Sequence, residues 1–427
     1  MIANPKLITT TSTDSDASKC LNISRKMYRY RSSGMEPTIL GQRRVADKCT
    51  TPPSLPRAAQ LHNHPRQRPV DVSHRRAHHD RMNHPSKMPV AVIGVGRMGR
   101  HHARLYHEMP DVDLLAVVDA DEERAATIAD EYACAVCTHV DQLLQQFPHL
   151  QAASVAVNTS AHRDVARALL SHKVACLVEK PLAGSGDVAR HIVDVAEANN
   201  ALLQVGHTER FNPAVRAVSD LGLRPRFIEV DRISQMTFRS VDVGVVFDLM
   251  IHDIDIVLMM AQSPIREIRA AGVVVIGEYE DVANARIEFE DGCVVNLTAS
   301  RLALKTERKL RVFSESAYIS LDYAQKRGLM LSRTGNVAAL DEIRDQVAAG
   351  TDLTDLDYSD LVNVQELTIV DEEPLRAELD NFINAVRGNS NPEVDARAGL
   401  AAVETAERVV QAIKEHKWHG LDSARPI

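Results

Sequence analysis

The sequence predicts an α/β protein: a doubly wound parallel sheet joined to an α+β domain whose large, mostly antiparallel sheet has one open face. Three observations lead there. From Val90 to about Gly206, short apolar runs alternate with stretches of helical periodicity, the pattern of a parallel sheet covered by helices on both faces. Beyond Arg226 the runs become long, alternate with period two and follow one another closely, as in an antiparallel sheet. Two amphipathic stretches close the chain, as helices that return to the first sheet. The expected divisions are a disordered extension over 1–87, a first domain over 88–209, a second over 210–372 and C-terminal helices over 373–427.

The 427-residue chain has room for two or three domains, and its charge is uneven. Residues 1–87 carry 16 Lys+Arg against 6 Asp+Glu, within a chain whose net charge is −8. This leading part is rich in Ser/Thr, then in Pro, Arg and His, and shows no periodic apolar pattern. It cannot bury enough surface to offset chain entropy and is expected to be disordered. Its irregular spacing and interspersed acids argue against a nucleic-acid arm or a metal tract, and Met88, directly before the first strand, is a plausible biological start. No basic stretch is followed by the apolar run of a secretory signal, and no run of apolar residues is long enough for a membrane span. Of the six cysteines, Cys134 and Cys137 alone form a C-x-x-C, on a short strand between helices. Two small buried side chains are the favoured reading there over zinc or redox chemistry, and no metal is expected. The expectation is a cytoplasmic protein that engages neither membrane nor nucleic acid.

The organising stretch is Val90–Asp119, VAVIGVGRMGRHHARLYHEMPDVDLLAVVD: an apolar strand, a glycine turn, an amphipathic helix and a second apolar strand. Gly94, Gly96 and Gly99 form a G-x-G-x-x-G turn that also contains Arg97 and Met98, and Asp119 closes the second strand twenty residues later. Gly94 allows the tight turn, Gly96 lets the backbone approach a pyrophosphate, and Gly99 lets the helix pack on the strand. Asp119 is placed to accept hydrogen bonds from ribose hydroxyls and to disfavour a 2′-phosphate. Strand, helix and distal acid fall in register, so the stretch reads as a dinucleotide-binding Rossmann fingerprint with NAD preferred over NADP.

Further strands follow in ASVAVNTS and ACLVEKP, with the helix AHRDVARALLSHK between them. Ligands of such sheets lie beyond the carboxyl ends of the strands. That places Asn158, Thr159 and His162, and Glu179 and Lys180, beside the nicotinamide half of the cofactor, with loop and helix-cap duty as the other reading of Asn158 and His162. Lys180, between a buried run and Pro181, either points into the crevice, where its ammonium can bind a hydroxyl and stabilise an alkoxide, or is a solvated strand end. HTERFNPAV then gives a turn and a helix with Asn212 as N-cap and Pro213 at the first helical position. Arg210 in that turn is a candidate for cofactor or substrate contact or for a surface role. VVFDLMIHDIDIVLMM reads as one helix on which Asp248, His252 and Asp255 share a face, beside an apolar face of Phe247, Ile251, Ile254 and Leu258. The later β-patterned runs include a hairpin signal at Asp291-Gly292. The Asp-rich stretch 335–361 lacks calcium-loop spacing and reads as a short helix and a loop.

The segments GVGRMGRHHAR, VVDAD, VEKPLA, VGHTERFNPAV and DLMIHDIDIV resemble the glucose–fructose oxidoreductase / inositol dehydrogenase / MocA family, over nearly all of residues 88–416. The resemblance implies an NAD(P)-dependent enzyme acting on sugars or polyols, a homodimer or dimer of dimers, with Lys180 at the active site. It carries the family's D-x-x-x-H motif onto Asp248 and His252, the latter as general base. Family members often have a run of glycines before this aspartate, whereas here Gly244 alone precedes it. Within the family the segments look most like the branch that oxidises the 3-hydroxyl of UDP-N-acetylglucosamine. An inositol or other polyol dehydrogenase and a non-catalytic dinucleotide-binding regulator are the alternatives, and the presence of both Lys180 and His252 speaks against the regulator.

Overall fold

The computed structural model describes residues 87–236, 243–335, 337–350 and 361–418. The leading segment expected to be disordered and residues 351–360 of the Asp-rich stretch lie outside the described residues.

The first half alternates strand and helix: β1 (Met88–Ile93), α1 (Gly99–Glu108), β2 (Val112–Val118), α2 (Glu122–Tyr132), β3 (Ala135–Cys137), α3 (Val140–Gln146), β4 (Ala152–Val155), α4 (His162–Ser171), β5 (Ala175–Glu179), α5 (Gly186–Asn199) and β6 (Leu203–Gly206). The six strands form one parallel sheet in the order β3-β2-β1-β4-β5-β6. The strands are apolar throughout because helices cover both faces; β1 and β5 are buried at every position. The order reverses between β1 and β4, which opens a crevice beyond their carboxyl ends. Cys137 is buried and Cys134 half-buried, both as free thiols.

After a 3-10 turn at Thr208–Phe211, α6 (Pro213–Ser219) starts as the sequence indicates: Ala214 N donates to the Asn212 side chain at 3.0 Å, with Pro213 at the first helical position. There follow β7 (Pro225–Ile233), a π turn (Val246–Met250), α7 (Ile251–Ala261), β8 (Ile265–Val273), β9 (Val282–Phe289), β10 (Val294–Ser300), β11 (Glu307–Ser314), β12 (Ala317–Asp322), β13 (Arg327–Arg333), α8 (Val337–Ala348), β14 (Val362–Glu366), α9 (Pro374–Val386) and α10 (Ala396–Glu415). The eight strands form one sheet in the order β14-β13-β12-β11-β7-β10-β9-β8, antiparallel except where β10 runs beside β7. The β9–β10 hairpin turns at Asp291-Gly292, with Gly292 at φ 86°. Period-two alternation buries Ile228, Val230, Leu310, Val312, Ile319 and Leu321 on one face. The opposite face carries Glu229, Asp231 and Arg311, the arginine lying 3.5 Å and 3.4 Å from the two acids.

Helix α9 packs on α1 and the 3-10 turn, while α10 lies against β6 and α5 on one side and β8, α7 and the π turn on the other. Gly399 makes the α10 approach possible, since a Cβ there would stand 2.3 Å from the Val205 side chain. One apolar cluster therefore runs from Val178 and Val205 through Val403 and Val409 to Ile251, Ile254 and Val295, while a second fills the other face of the parallel sheet. Among the described residues, no helix is long and apolar enough to cross a membrane.

The expectation of one regular helix through VVFDLMIHDIDIVLMM is corrected. Its first turn is a π turn, closed by Ile251 N bonding back to Val246 O. The entry is anchored by Glu280, whose carbonyl takes Val245 N at 2.9 Å and whose carboxylate takes Val246 N at 3.3 Å. Such an insertion changes which side chains share a face and is a frequent feature of functional sites.

A candidate active site at the strand ends

The glycine turn is shaped by contact. Gly94 has φ 82°, and a Cβ there would stand 2.7 Å from Ala156 O; one on Gly99 would stand 1.7 Å from Gly94 O. Gly96 differs, with nothing within 4 Å of the place its Cβ would occupy. Open space in front of the middle glycine is what a phosphate approaching the backbone requires. Arg97 is exposed beside it, and Met98 is the half-buried residue that leads into α1. Asp119 takes Val95 N at 2.9 Å and Asp121 N at 3.0 Å, so both carboxylate oxygens are oriented by backbone donors, and Arg124 Nε lies 3.2 Å from it. A cavity of about 510 Å³ lies between, lined by Gly94, Gly96, Asp119, Arg124, His139 and Asn158. Asn158 is exposed and Thr159 half-buried at the start of a 3-10 turn, with no side-chain capping bond from Asn158. The cavity's size and its open middle glycine fit a dinucleotide.

Beside that cavity, Lys180 leaves the end of β5 and its ammonium donates to the Asp248 carbonyl at 2.8 Å, across to the π turn. Burial pushes Lys180 below the ordinary lysine value, with Arg232 and Arg97 adding to the fall and Asp248 and Glu179 opposing it. His252 stands one helical turn beyond Asp248. Its ring is half-buried, with Nδ1 buried and unpartnered, and burial followed by the charges of Lys180 and Arg232 holds it well below the ordinary histidine value. The Asp248 carboxylate is half-buried and makes no hydrogen bond among the described residues. The structure thus brings an ammonium, a neutral imidazole and a carboxylate near one another beyond the end of β5.

Three side chains expected to face cofactor or substrate are committed elsewhere. Glu179 is buried on the other side of its strand from Lys180, where its Oε1 lies 2.9 Å from His102 Nε2. His162 is buried too: Nδ1 lies 3.0 Å from Pro181 O and Nε2 3.2 Å from Val157 O, so the ring ties the turn after Lys180 to the end of β4. Arg210 is largely buried and held by protein partners. Its Nε and one terminal nitrogen donate to Asp255 at 2.6 Å and 2.7 Å and the other to Glu393 O at 3.0 Å, which engages all three guanidinium nitrogens. The reason is the same each time: a charged or polar group taken out of water needs a fixed partner.

The sequence reading missed His207, Arg232 and Asp253. Glu179 pairs with Gly206 across β5 and β6, so Lys180 and His207 emerge side by side; His207 is buried, with both ring nitrogens unpartnered among the described residues. Adjacent parallel strands would have given that neighbour. Buried Arg232 holds buried Asp253 through two bonds of 2.7 Å and 2.8 Å and half-buried Glu209 through a third of 3.0 Å. Nothing in the local pattern announces that lattice, which joins residues far apart in the chain.

A parallel sheet with a glycine-turn nucleotide crevice, a second domain offering an imidazole and a carboxylate, and a lysine between them define a nicotinamide-dependent oxidoreductase. The comparisons agree. Residues 88–207 match the oxidoreductase family with an NAD-binding Rossmann fold, and residues 223–320 match the C-terminal domain of the same GFO/IDH/MocA family. The chain belongs to this family. It is 30% identical over 329 residues, 77% of the chain and 97% of the relative, to UDP-N-acetylglucosamine 3-dehydrogenase of Acidithiobacillus ferrooxidans. It is 26% identical to inositol 2-dehydrogenase of Rhizobium meliloti, over 76% of the chain and 97% of that protein. A solved structure of the Acidithiobacillus enzyme superposes with a TM-score of 0.67 at 29% identity, covering 77% of this chain and 98% of that one.

The ion pair of Arg210 and Asp255 gives a test of structural against ligand-binding duty. Asp255→Ala leaves a buried guanidinium without its counter-charge and should cost about 3–5 kcal/mol of stability, read as a lower urea midpoint. Unchanged stability with a raised substrate KM would return Arg210 to the binding site.

Proposed function

We propose that this protein oxidises a secondary hydroxyl of a sugar nucleotide, the 3-hydroxyl of UDP-N-acetylglucosamine, with NAD as acceptor. The observation that supports the chemistry is that the Lys180 ammonium, bonded to the Asp248 carbonyl one turn before His252, lies near enough for its charge to act on that imidazole. The relative at 30% identity supports the substrate, and the inositol dehydrogenase at 26% keeps a polyol as the second reading.

NAD, held by the Gly94–Gly99 turn with Arg97, Met98, Asn158 and Thr159 alongside and Asp119 at its ribose, would supply the hydride acceptor. Asp119 favours it over NADP, since a 2′-phosphate would meet a carboxylate already fixed by two backbone donors. The chain's own part is proton and charge management. Lys180 exchanges the Asp248 carbonyl for the substrate oxygen and stabilises the alkoxide that forms there. His252 takes the hydroxyl proton. Its lowered pKa keeps it neutral, and so able to accept, until the pH falls well below 6.5. The free Asp248 carboxylate accepts from a neighbouring hydroxyl and sets the register of the sugar. Free cysteines among the described residues fit a cytoplasmic setting.

A homodimer belongs to the same reading. On the open face of the large sheet one register row is apolar across six strands: Val294, Phe227, Phe313, Tyr318, Leu331 and Val364. Ring centroids of 5.6 Å and 4.8 Å link its three aromatics, and Val364 is 58% exposed. An apolar stripe bordered by ion pairs suits a two-fold interface with a second copy.

Lys180→Ala and His252→Ala should each lower turnover by roughly a hundredfold or more, and the double variant by less than the product of the two. NADH formation on a panel of sugar nucleotides, free sugars and inositol, with NAD and NADP titrated in parallel, reads both substrate and cofactor. Turnover of a polyol alone removes the sugar nucleotide, and NAD binding without any turnover removes the enzyme. For the dimer, sedimentation at micromolar concentration should give twice the chain mass and Phe313→Arg a monomer; a monomeric parent protein contradicts it.

A further inference from the structure

Behind Lys180, away from the cleft, lies a buried line of four polar side chains that the proposed chemistry does not use. The Tyr106 hydroxyl lies 2.8 Å from Ser154 Oγ, Ser154 Oγ 3.0 Å from His102 Nδ1, and His102 Nε2 2.9 Å from Glu179 Oε1. Tyr106, Ser154 and His102 have no exposed surface, and Glu179 has almost none. Three elements supply them, α1, β4 and β5, so no local motif explains the line.

Counting protons fixes its direction. Tyr106 has Ser154 as its sole side-chain partner among the described residues, so its hydroxyl must donate there or strand a buried proton. Ser154, having accepted, donates to His102 Nδ1. His102 then carries its single proton on Nε2 and gives it to Glu179. A cationic His102, or a protonated Glu179 donating back, would make Nδ1 a second donor to Ser154 and leave the serine proton without an acceptor among the described residues. The result is a neutral histidine and an ionised glutamate. Burial raises the Glu179 carboxyl, while the bond from His102 and the charge of Lys180 lower it.

We infer that this line makes Glu179 the fixed counter-charge of Lys180, keeping the lysine in its ammonium form inside a site that would otherwise discharge it. The two residues are consecutive at the end of β5 and point to opposite sides, one onto α1 and the other onto the π turn. His102, Ser154 and Tyr106 are positioning residues that act through Glu179. Of the anions around Lys180, Asp248 acts on it most and Glu179 next, and of the two only Glu179 has a carboxylate fixed by a side-chain bond among the described residues. On the Lys180 side, Arg232 and Arg97 oppose its charge and Asp248 supports it, with the imidazoles of His252 and His207 adjacent. On the Glu179 side stand His162 and Glu378. Glu378, from α9, takes the Thr208 hydroxyl at 3.0 Å, and burial followed by the charge of Glu179 keeps it protonated, so it adds no second anion.

The inference rests on Lys180 as the active-site ammonium, but its test does not need turnover. Competitive acetylation of the full-length protein without cofactor, quantified on the Lys180 peptide by mass spectrometry against pH, reads the lysine's titration midpoint. Glu179→Gln keeps an acceptor for His102 and removes the charge. The midpoint should fall by about one pH unit or more, tenfold in the ratio of charged to neutral lysine. A folded Glu179→Gln protein with an unmoved midpoint overturns the inference, as a purely structural line would lower the melting temperature alone. His102→Gln, whose amide nitrogen can replace Nε2 as a neutral donor, should leave the midpoint where it is. A rise there would mean that His102 is cationic, and would overturn the inference even if Glu179→Gln failed to fold. Full activity of Lys180→Ala would instead defeat the proposed mechanism while leaving the labelling result intact.

Discussion

The structure depends on one constraint: charge taken out of water at the joint between its two halves must be paired. The nucleotide-binding half ends in strand tips and the 3-10 turn that carry Lys180, His207, Glu209 and Arg210; the second half answers with Asp248, Asp253, Asp255 and Arg232. Isolated buried charges of this number would cost far more than the stability of a domain. Paired through two-pronged bonds, they turn the joint into a rigid frame, and α10 adds an apolar bridge across it.

Within that frame the groups left without a full set of partners stand out. Arg210, Arg232, Asp253 and Asp255 are fully engaged, so they hold shape. Among the described residues Lys180 has a single carbonyl, His252 a buried nitrogen with no partner, His207 two, and the Asp248 carboxylate no hydrogen bond, so these groups have capacity for a ligand. The π turn serves this division. It brings the Asp248 carbonyl under the lysine while the next turn sends Asp253 and Asp255 inward.

Much of this was legible in the sequence. The glycine turn, the acid twenty residues on, the alternation of buried strands and helices, the Asn212-Pro213 helix start and the Asp291-Gly292 hairpin each have a local physical signature, and each lies where it was read. Lys180, Asp248 and His252 were singled out through spacing together with family resemblance. What was misread is instructive. Glu179 and Lys180 are consecutive strand residues and cannot both face the cofactor, so period-two alternation alone could have excluded Glu179. The roles of Arg210 and His162 depend on partners 45 and 19 residues away, which no pattern specifies. The π turn has no local sequence signal, and the group that anchors its entry, Glu280, comes from the loop between β8 and β9.

The central claim is that a hydride leaves a sugar carbon at a site made by Lys180 and His252. It is tested most directly with UDP-N-acetylglucosamine carrying deuterium at carbon 3, incubated with NAD and the purified protein. Mass spectrometry of the reduced cofactor should find the deuterium there, one atom for each molecule of 3-keto sugar formed. Deuterium retained in the sugar or lost to water, with none in the cofactor, would contradict the account.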